Sequence, residues 1–311
     1  MGKLLHLENP VAVAAAVDLA HLAINNCHLY SRSVSLHQLT KGYAIITGGS
    51  SGIGFELARL FVESGQSVCL IARDIAKLED AAKKLKQLQP APNGFIDFLS
   101  IDVSDYEDVH EQLCAYLETH DAPSYLFNFA GISHPGEFNT LTPDIFSSTI
   151  NTNLLGTVYP TLVVYPYLQK KSFGHIINCS SSAGFLGLYG YTAYSASKFA
   201  VKGFTDSLRL ELKNDNITVS LVFPPDTQTP QLEYENSLKP AITKEVNGIG
   251  STVSPEFVAS EIIKGVLRKD YLILIGGETK LFYHLNNILG PLTHHLLDFF
   301  VARARKKLNI Y

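Results

Sequence analysis

The chain has 311 residues, 46% of them hydrophobic, with 25 basic against 29 acidic side chains and a formal net charge of −4. The apolar fraction supports a sizeable core and excludes wholesale disorder, and the near-neutral charge argues against nucleic acid as a partner, since phosphate binding needs a basic excess. A length near 300 suits one doubly wound α/β sheet with attachments.

Residues 1–41 form an N-terminal extension. Its apolar run from Val11 to Val17 imitates a signal peptide, but it is short, is flanked by Glu8 and Asp18, and lacks a small-x-small cleavage site. An amphipathic helix capped by Asn9, with Pro10 at its first position, is the better reading.

From Gly42 onward apolar strand-like runs alternate with helical patterns. Strand 43–47 precedes helix 52–64, and strand 67–72 precedes helix 75–88. A Pro-Asn-Gly loop at 90–94 leads into strand 95–101, then helix 105–119 and strand 124–128. One helix is predicted over 143–169, then strand 175–180, helix 192–213, strand 217–223, helix 255–268 and strand 271–275. Near-continuous apolar strands, each followed by a helix, describe a parallel sheet covered on both faces. Thus 42–276 is expected to be one nucleotide-binding catalytic domain. The stretch 224–252, rich in Pro, Asn and Gly, is too long for a simple connection and reads as a substrate loop.

Residues 277–311 are an apolar C-terminal region. The segment 281–300 is broken by His284, Asn286, Asn287, Pro291, His294, His295 and Asp298, and Arg303, Arg305, Lys306 and Lys307 follow it. No apolar run reaches the ~18 residues of a spanning helix. Two readings stay open: helices lying in a membrane interface, with the cations meeting anionic headgroups, or a helix pair packed on the domain or a partner subunit.

Cys27, Cys69, Cys114 and Cys179 contain no C-x-x-C pair, so neither a zinc site nor a disulfide framework is indicated, and a reducing compartment is expected. The 11 histidines show no metal-ligand clustering, and no metal is expected.

The strongest local signal is Thr47-Gly48-Gly49-Ser50-Ser51-Gly52-Ile53-Gly54, after the first strand and opening a helix. Glycines there permit a tight turn and close approach to a pyrophosphate, which the helix N-terminus attracts. At the end of the second strand an NAD enzyme would place an acid for the ribose 2′-hydroxyl. Here the strand ends on Ala72 and Arg73, with Lys77 one turn on. Both cations suit a 2′-phosphate, favouring NADPH, although two cations at one helix start can also be a solvated face. Asp74 reads as the cap of the helix that follows.

The second signal is Tyr194-Ser195-Ala196-Ser197-Lys198. Tyrosine and lysine four apart project from one helix face, and a nearby ammonium stabilises phenolate. The run Ser180-Ser181-Ser182 ends a strand 13 residues earlier, counted from Ser181.

Together with Asn128-Phe129-Ala130-Gly131 and Asn153, these motifs resemble the short-chain dehydrogenase/reductase superfamily, in its order, over three-quarters of the chain. The resemblance implies a Rossmann-type fold and a set of roles. Tyr194 would protonate the carbonyl oxygen. Lys198 would hold the nicotinamide ribose and depress the tyrosine pKa. Ser181 would bind the substrate oxygen, with Ser180 as rival for that place. Asn153 would hold a water in a proton relay, Asp102 would meet the adenine, and Asn128 would support the sheet and the cofactor. Homo-oligomers are usual in the superfamily.

The run Phe223-Pro224-Pro225-Asp226-Thr227-Gln228-Thr229-Pro230, with Lys239-Pro240 and Ile242-Thr243-Lys244, resembles a narrower branch, the 3-ketodihydrosphingosine reductases. That branch reduces a long-chain sphingoid ketone with NADPH, which would set Thr227 and Thr229 beside the nicotinamide and its phosphates. It also implies membrane association with a cytosol-facing site, at the endoplasmic reticulum in a eukaryote. Other long-chain, steroid or retinoid carbonyls, or an inert nucleotide-sensing or lipid-binding scaffold, are the alternative readings.

Overall fold

Strands buried on both faces must be apolar at every position rather than at alternate ones, and the first strand, Tyr-Ala-Ile-Ile-Thr, is buried throughout. The computed structural model of the chain describes residues 39, 42–88, 94–247, 252–290 and 292–310. Strands β1 (Tyr43–Thr47), β2 (Ser67–Ala72), β3 (Ile96–Ser100), β4 (Tyr125–Asn128), β5 (Gly174–Cys179), β6 (Ile217–Phe223) and β7 (Leu272–Leu274) form one sheet in the order 3-2-1-4-5-6-7. Every neighbouring pair is parallel.

The helices are α1 (Gly52–Glu63), α2 (Ile75–Gln87), α3 (Tyr106–Thr119), α4 (Pro143–Ile150), α5 (Gly156–Lys171) and α6 (Thr192–Glu211). They continue with α7 (Pro230–Leu238), α8 (Ala241–Asn247), α9 (Pro255–Arg268), α10 (Gly277–Leu289) and α11 (Leu292–Leu308). The strand period of two sends Ala44 and Ile46 to a face covered by Leu57 and Phe61 of α1, Leu78 of α2 and Ile262 of α9. Tyr43 and Ile45 point to the other face, under Val109 and Leu113 of α3 and Val164 and Leu168 of α5. This is the doubly wound α/β sheet expected. Its strand order reverses between β1 and β4, where such sheets open a crevice beyond their carboxyl ends.

The N-terminal extension lies outside the described residues except for Leu39, which is buried in the first core face. Cys27 and the loop at 90–94, Gly94 apart, also lie outside them.

The helix predicted over 143–169 runs on to Lys171 and carries one wide turn within it. Asn151–Leu155 is a π-turn, in which the Gly156 N–H reaches the Asn151 carbonyl five residues back. Side chains account for it. The Asn153 amide grips both backbone groups of Ile132, at 2.8 and 2.9 Å, and the Thr157 hydroxyl donates to the Asn153 carbonyl at 2.8 Å.

The stretch read as a substrate loop carries α7 and α8, and its ends are pinned together. Thr227 and Val253 form a parallel bridge, with the Gln228 N–H on the Val253 carbonyl at 2.9 Å. Helices α10 and α11 pack on each other, and α11 packs on α8. Tyr283 of α10 meets Phe185 and Phe223 in a third apolar cluster at the end of β6. Among the described residues no helix is long and apolar enough to cross a membrane.

Candidate active site

The crevice at the carboxyl ends of β1, β4, β5 and β6 holds a cavity of about 430 Å³, walled by Gly48, Ser181, Tyr194, Lys198, Thr229 and Glu235 among others. One half is built by backbone. β1 ends in a turn where Gly48, at φ +70°, donates to the Ile71 carbonyl at 2.8 Å. A Cβ on Gly48 would lie 2.7 Å from the Phe129 carbonyl oxygen, and one on Gly54 only 2.3 Å from that of Gly48. The Thr47 hydroxyl accepts from the Phe129 and Ala130 N–H groups at 3.0 and 3.1 Å, which ties the turns after β1 and β4 together. Ser51 is the N-cap of α1 with no side-chain cap bond, and no acid stands in the first turn. This end of α1 therefore directs free N–H groups and a positive dipole at the cavity, and Ser50, Ser51, Gly52, Ile53 and Gly54 all line it. The cradle has the chemistry of a pyrophosphate site, so the residues present fit a dinucleotide.

Arg73 and Lys77 also line the cavity, both largely exposed. Asp74 caps α2 by accepting from the Lys77 N–H at 3.1 Å, as its position suggests. Arg73 stands 3.9 Å from the Asp102 carboxylate, a weak surface pair that leaves the guanidinium available. The Asp102 carboxylate accepts from the Ser104 N–H and hydroxyl, at 3.0 and 2.7 Å, and its neighbours Ile101 and Val103 form the cavity wall. Asn128 is turned into the sheet, donating to Thr161 and Asn178 at 3.0 and 2.8 Å, and does not line the cavity.

The other half is built by side chains. Helix α6 presents Tyr194 and Lys198 to one space, with the Lys198 ammonium 5.7 Å from the Tyr194 ring centre. That ammonium donates to the Cys179 carbonyl at 2.9 Å. The two serines are divided: Ser180 donates to the Lys198 carbonyl at 2.9 Å and is buried, whereas the Ser181 hydroxyl accepts from the Ala183 N–H at 3.2 Å and lines the cavity with Tyr194. Gly131 permits the approach of the rest, since a Cβ there would lie 3.2 Å from Asn153 Oδ1 and 3.6 Å from Lys198 Nζ.

The Asn153 amide clamps both backbone groups of Ile132 and donates to the Ser197 hydroxyl at 2.9 Å. One sequence expectation meets a different arrangement. The Tyr194 phenol is held above its ordinary value rather than below it. Burial is the main cause and Glu235 the next, with Ser181 opposing them. Burial also lowers the pKa of Lys198.

Three residues of this half carry no motif. Tyr191 lies one turn before Tyr194, its ring 5.9 Å away, so an i, i+3 reading of α6 finds it. Gln231 and Glu235 come from α7, and no spacing in the sequence couples them to α6. Thr227 and Thr229 line the cavity from the start of the substrate loop.

Residues 42–239 match the family model described as short chain dehydrogenase. The chain is 35% identical to a bovine 3-ketodihydrosphingosine reductase over 82% of this chain and 77% of that one. It is 33% identical to a Dictyostelium discoideum 3-ketodihydrosphingosine reductase over 91% and 89%. Among solved structures, a metagenomic short-chain oxidoreductase in complex with NADP superposes with a TM-score of 0.63 at 26% identity, covering 77% of this chain and 98% of that one.

Proposed function

The chain belongs to the short-chain dehydrogenase family, and from that premise we propose that it reduces 3-oxosphinganine, a long-chain 2-amino-3-ketone, to sphinganine with NADPH in sphingolipid synthesis. The observation that carries the reading is the 33–35% identity to reductases named for this ketone over 82–91% of the chain. A nicotinamide cofactor, when bound, supplies hydride to the carbonyl carbon. The Tyr194 phenol gives its proton to the carbonyl oxygen, which the Ser181 hydroxyl holds. A phenol raised by burial stays protonated at neutral pH, the form this direction of reaction needs. Lys198, the cation at this end of the cavity wall among the described residues, is placed to bind a ribose and to replace the phenol's proton. The cradle of 48–54 would hold the pyrophosphate, and Arg73 with Lys77 would select NADPH by pairing with its 2′-phosphate.

Membrane attachment belongs to the same reading. Ile288 is 79% exposed, with Leu289, Leu292 and Phe299 also exposed, and Arg303, Arg305 and Lys306 stand exposed on α11. An apolar helix pair beside cations suits an anionic bilayer surface, such as the cytosolic face of the endoplasmic reticulum. Flotation with anionic vesicles tests this part. The decisive assay is NADPH oxidation by the purified protein with detergent-dispersed 3-oxosphinganine, with NADH and a short-chain ketone as controls. Turnover confined to NADPH and the sphingoid ketone supports the reading, and turnover of other ketones alone overturns the substrate.

A further inference from the structure

Glu235 is a carboxylate 7% exposed, in a cavity whose other described wall residues supply one buried cation, Lys198. Its Oε2 accepts from the Tyr191 hydroxyl at 2.9 Å and its Oε1 from the Gln231 amide at 3.0 Å. Both donors are neutral. Lys239, four residues on at the end of α7 and so placed for an i, i+4 pair, sends its buried ammonium to Asp226 instead, at 3.5 Å. Among the described residues no cation comes within 4.0 Å of the Glu235 carboxylate. A buried carboxylate without a counter-ion is unfavourable unless something supplies the charge. Each of its oxygens still has a free lone pair after one neutral hydrogen bond.

The position narrows what that something is. Tyr191, which holds Glu235, sets its ring 5.9 Å from the ring of Tyr194, tilted 54° to it, and all three line the one cavity with Ser181. In an α-aminoketone the ammonium stands on the carbon beside the carbonyl, so a carbonyl oxygen held by Tyr194 and Ser181 puts the ammonium one side chain away from them. We propose that Glu235, oriented by Tyr191 and Gln231, is the specificity residue that receives the substrate's ammonium and so selects 2-amino-ketones over uncharged ketones. This rests on the sphingoid reading above and names the group that recognises the polar head.

The surrounding charges agree with this role. Burial lifts the Glu235 carboxyl above its ordinary value, Lys239 opposes and Asp226 adds to that rise, and Glu235 in turn holds the Tyr194 phenol up. An arriving ammonium relieves both. It lets Glu235 stay ionised and makes Tyr194 a readier acid, so binding of the head group also tunes the proton donor. Asp226, Cys179, Tyr191 and Lys198 are the other titratable groups facing Tyr194, and Asp226 and Cys179 hold its phenol up as Glu235 does.

The test compares 3-oxosphinganine with its desamino analogue, the 1-hydroxy-3-ketone of the same chain length, in wild type, Glu235→Gln, Glu235→Asp and Tyr191→Phe. A lost hydrogen bond to a charged group corresponds to about 10- to 100-fold in kcat/KM. Glu235→Gln should lose that factor on the aminoketone and hold or raise kcat/KM on the desamino ketone, since the charge that keeps the Tyr194 phenol up is gone while no ammonium contact is lost. Glu235→Asp should restore part of the preference, and Tyr191→Phe, which keeps the charge but not its anchor, should fall between. NADPH affinity should be unchanged, and the thermal midpoint of Glu235→Gln should hold or rise at pH 8, since an unpaired buried charge has been removed. Equal losses on both ketones in Glu235→Gln, or an unchanged ratio, overturn the inference while leaving the sphingoid reading in place. A wild type that reduces both ketones equally well also overturns it. A wild type that turns over neither, while reducing other ketones, overturns the sphingoid reading itself. Should Glu235→Gln not fold, the Glu235→Asp and Tyr191→Phe ratios decide alone.

Discussion

The two halves of the cavity are made in opposite ways. Around 48–54 the wall is backbone: a turn at positive φ, glycines whose missing Cβ atoms leave room for carbonyl oxygens, and a helix start with no side-chain cap. Around Tyr194 the wall is side chain, drawn from β5, from α6 and from α7. Backbone recognition suits a ligand part that never varies, while side chains exchange readily when the ligand part differs between relatives. One fold can therefore keep its cofactor half and change its substrate half.

The comparison breaks most severely where the two halves meet. Tyr194→Phe removes the proton donor and nothing else of comparable size, so kcat should fall about 10²- to 10⁴-fold. NADPH binding, followed by fluorescence, should stay within about twofold of wild type, as for a substitution off the binding surface. Gly54→Ala attacks the backbone half. Its Cβ would lie 2.3 Å from the Gly48 carbonyl oxygen, and displacing that turn should weaken NADPH about 10- to 100-fold. KM for the ketone, measured at saturating cofactor, should move far less.

Arg73→Ser sharpens the comparison within the cofactor half, because it touches a side chain there. Arg73 is 60% exposed and already near Asp102, so its loss should narrow the NADPH-over-NADH preference by only about tenfold. Kinetics with NADH should be unaffected.

The smallest catalytic effect belongs to His175, in the middle of the sheet. It is buried against the Ser220 hydroxyl at 2.7 Å, and burial lowers its pKa to about 3. The unfolded chain takes up a proton near pH 6.5 and the folded chain does not, so stability is full above that pH and is lost as pH falls from about 6.5 toward 3. The total is on the order of 5 kcal/mol. His175→Gln should flatten that slope in urea titrations between pH 4 and 7, and leave KM for both ligands at pH 7.5 unchanged.

Legibility in the sequence follows the same division. The seven strands could be read because each is a short, mainly apolar run followed by a helical pattern or a turn, and the glycine turn because φ of +70° at Gly48 and a close contact at Gly54 demand that residue type. Tyr194 and Lys198 could be read because helical spacing places them together. What could not be read depends on meetings across the chain. Ser180 and Ser181 differ only in where their hydroxyls point, and that is decided by the Lys198 carbonyl 18 residues away. The Tyr194 phenol is governed by burial and by Glu235, 41 positions further along the chain, more than by the lysine on its own helix. Glu235 itself is one acid among 29. Only the folding of α7 over the cavity distinguishes it.

The π-turn at Asn151–Leu155 acts as a phase shifter. One residue added to a turn advances a helix by about 100°. The rod from Pro143 to Lys171 is continuous, yet its two segments face different neighbours: α4 lies on α6, and α5 lies on α3 and the sheet. A uniform helix could not offer an apolar stripe to both at once. Removing one residue from 151–155 would rotate one segment off its partner and carry Asn153 away from Ile132. At this spot the number of residues constrains the chain more tightly than their identity.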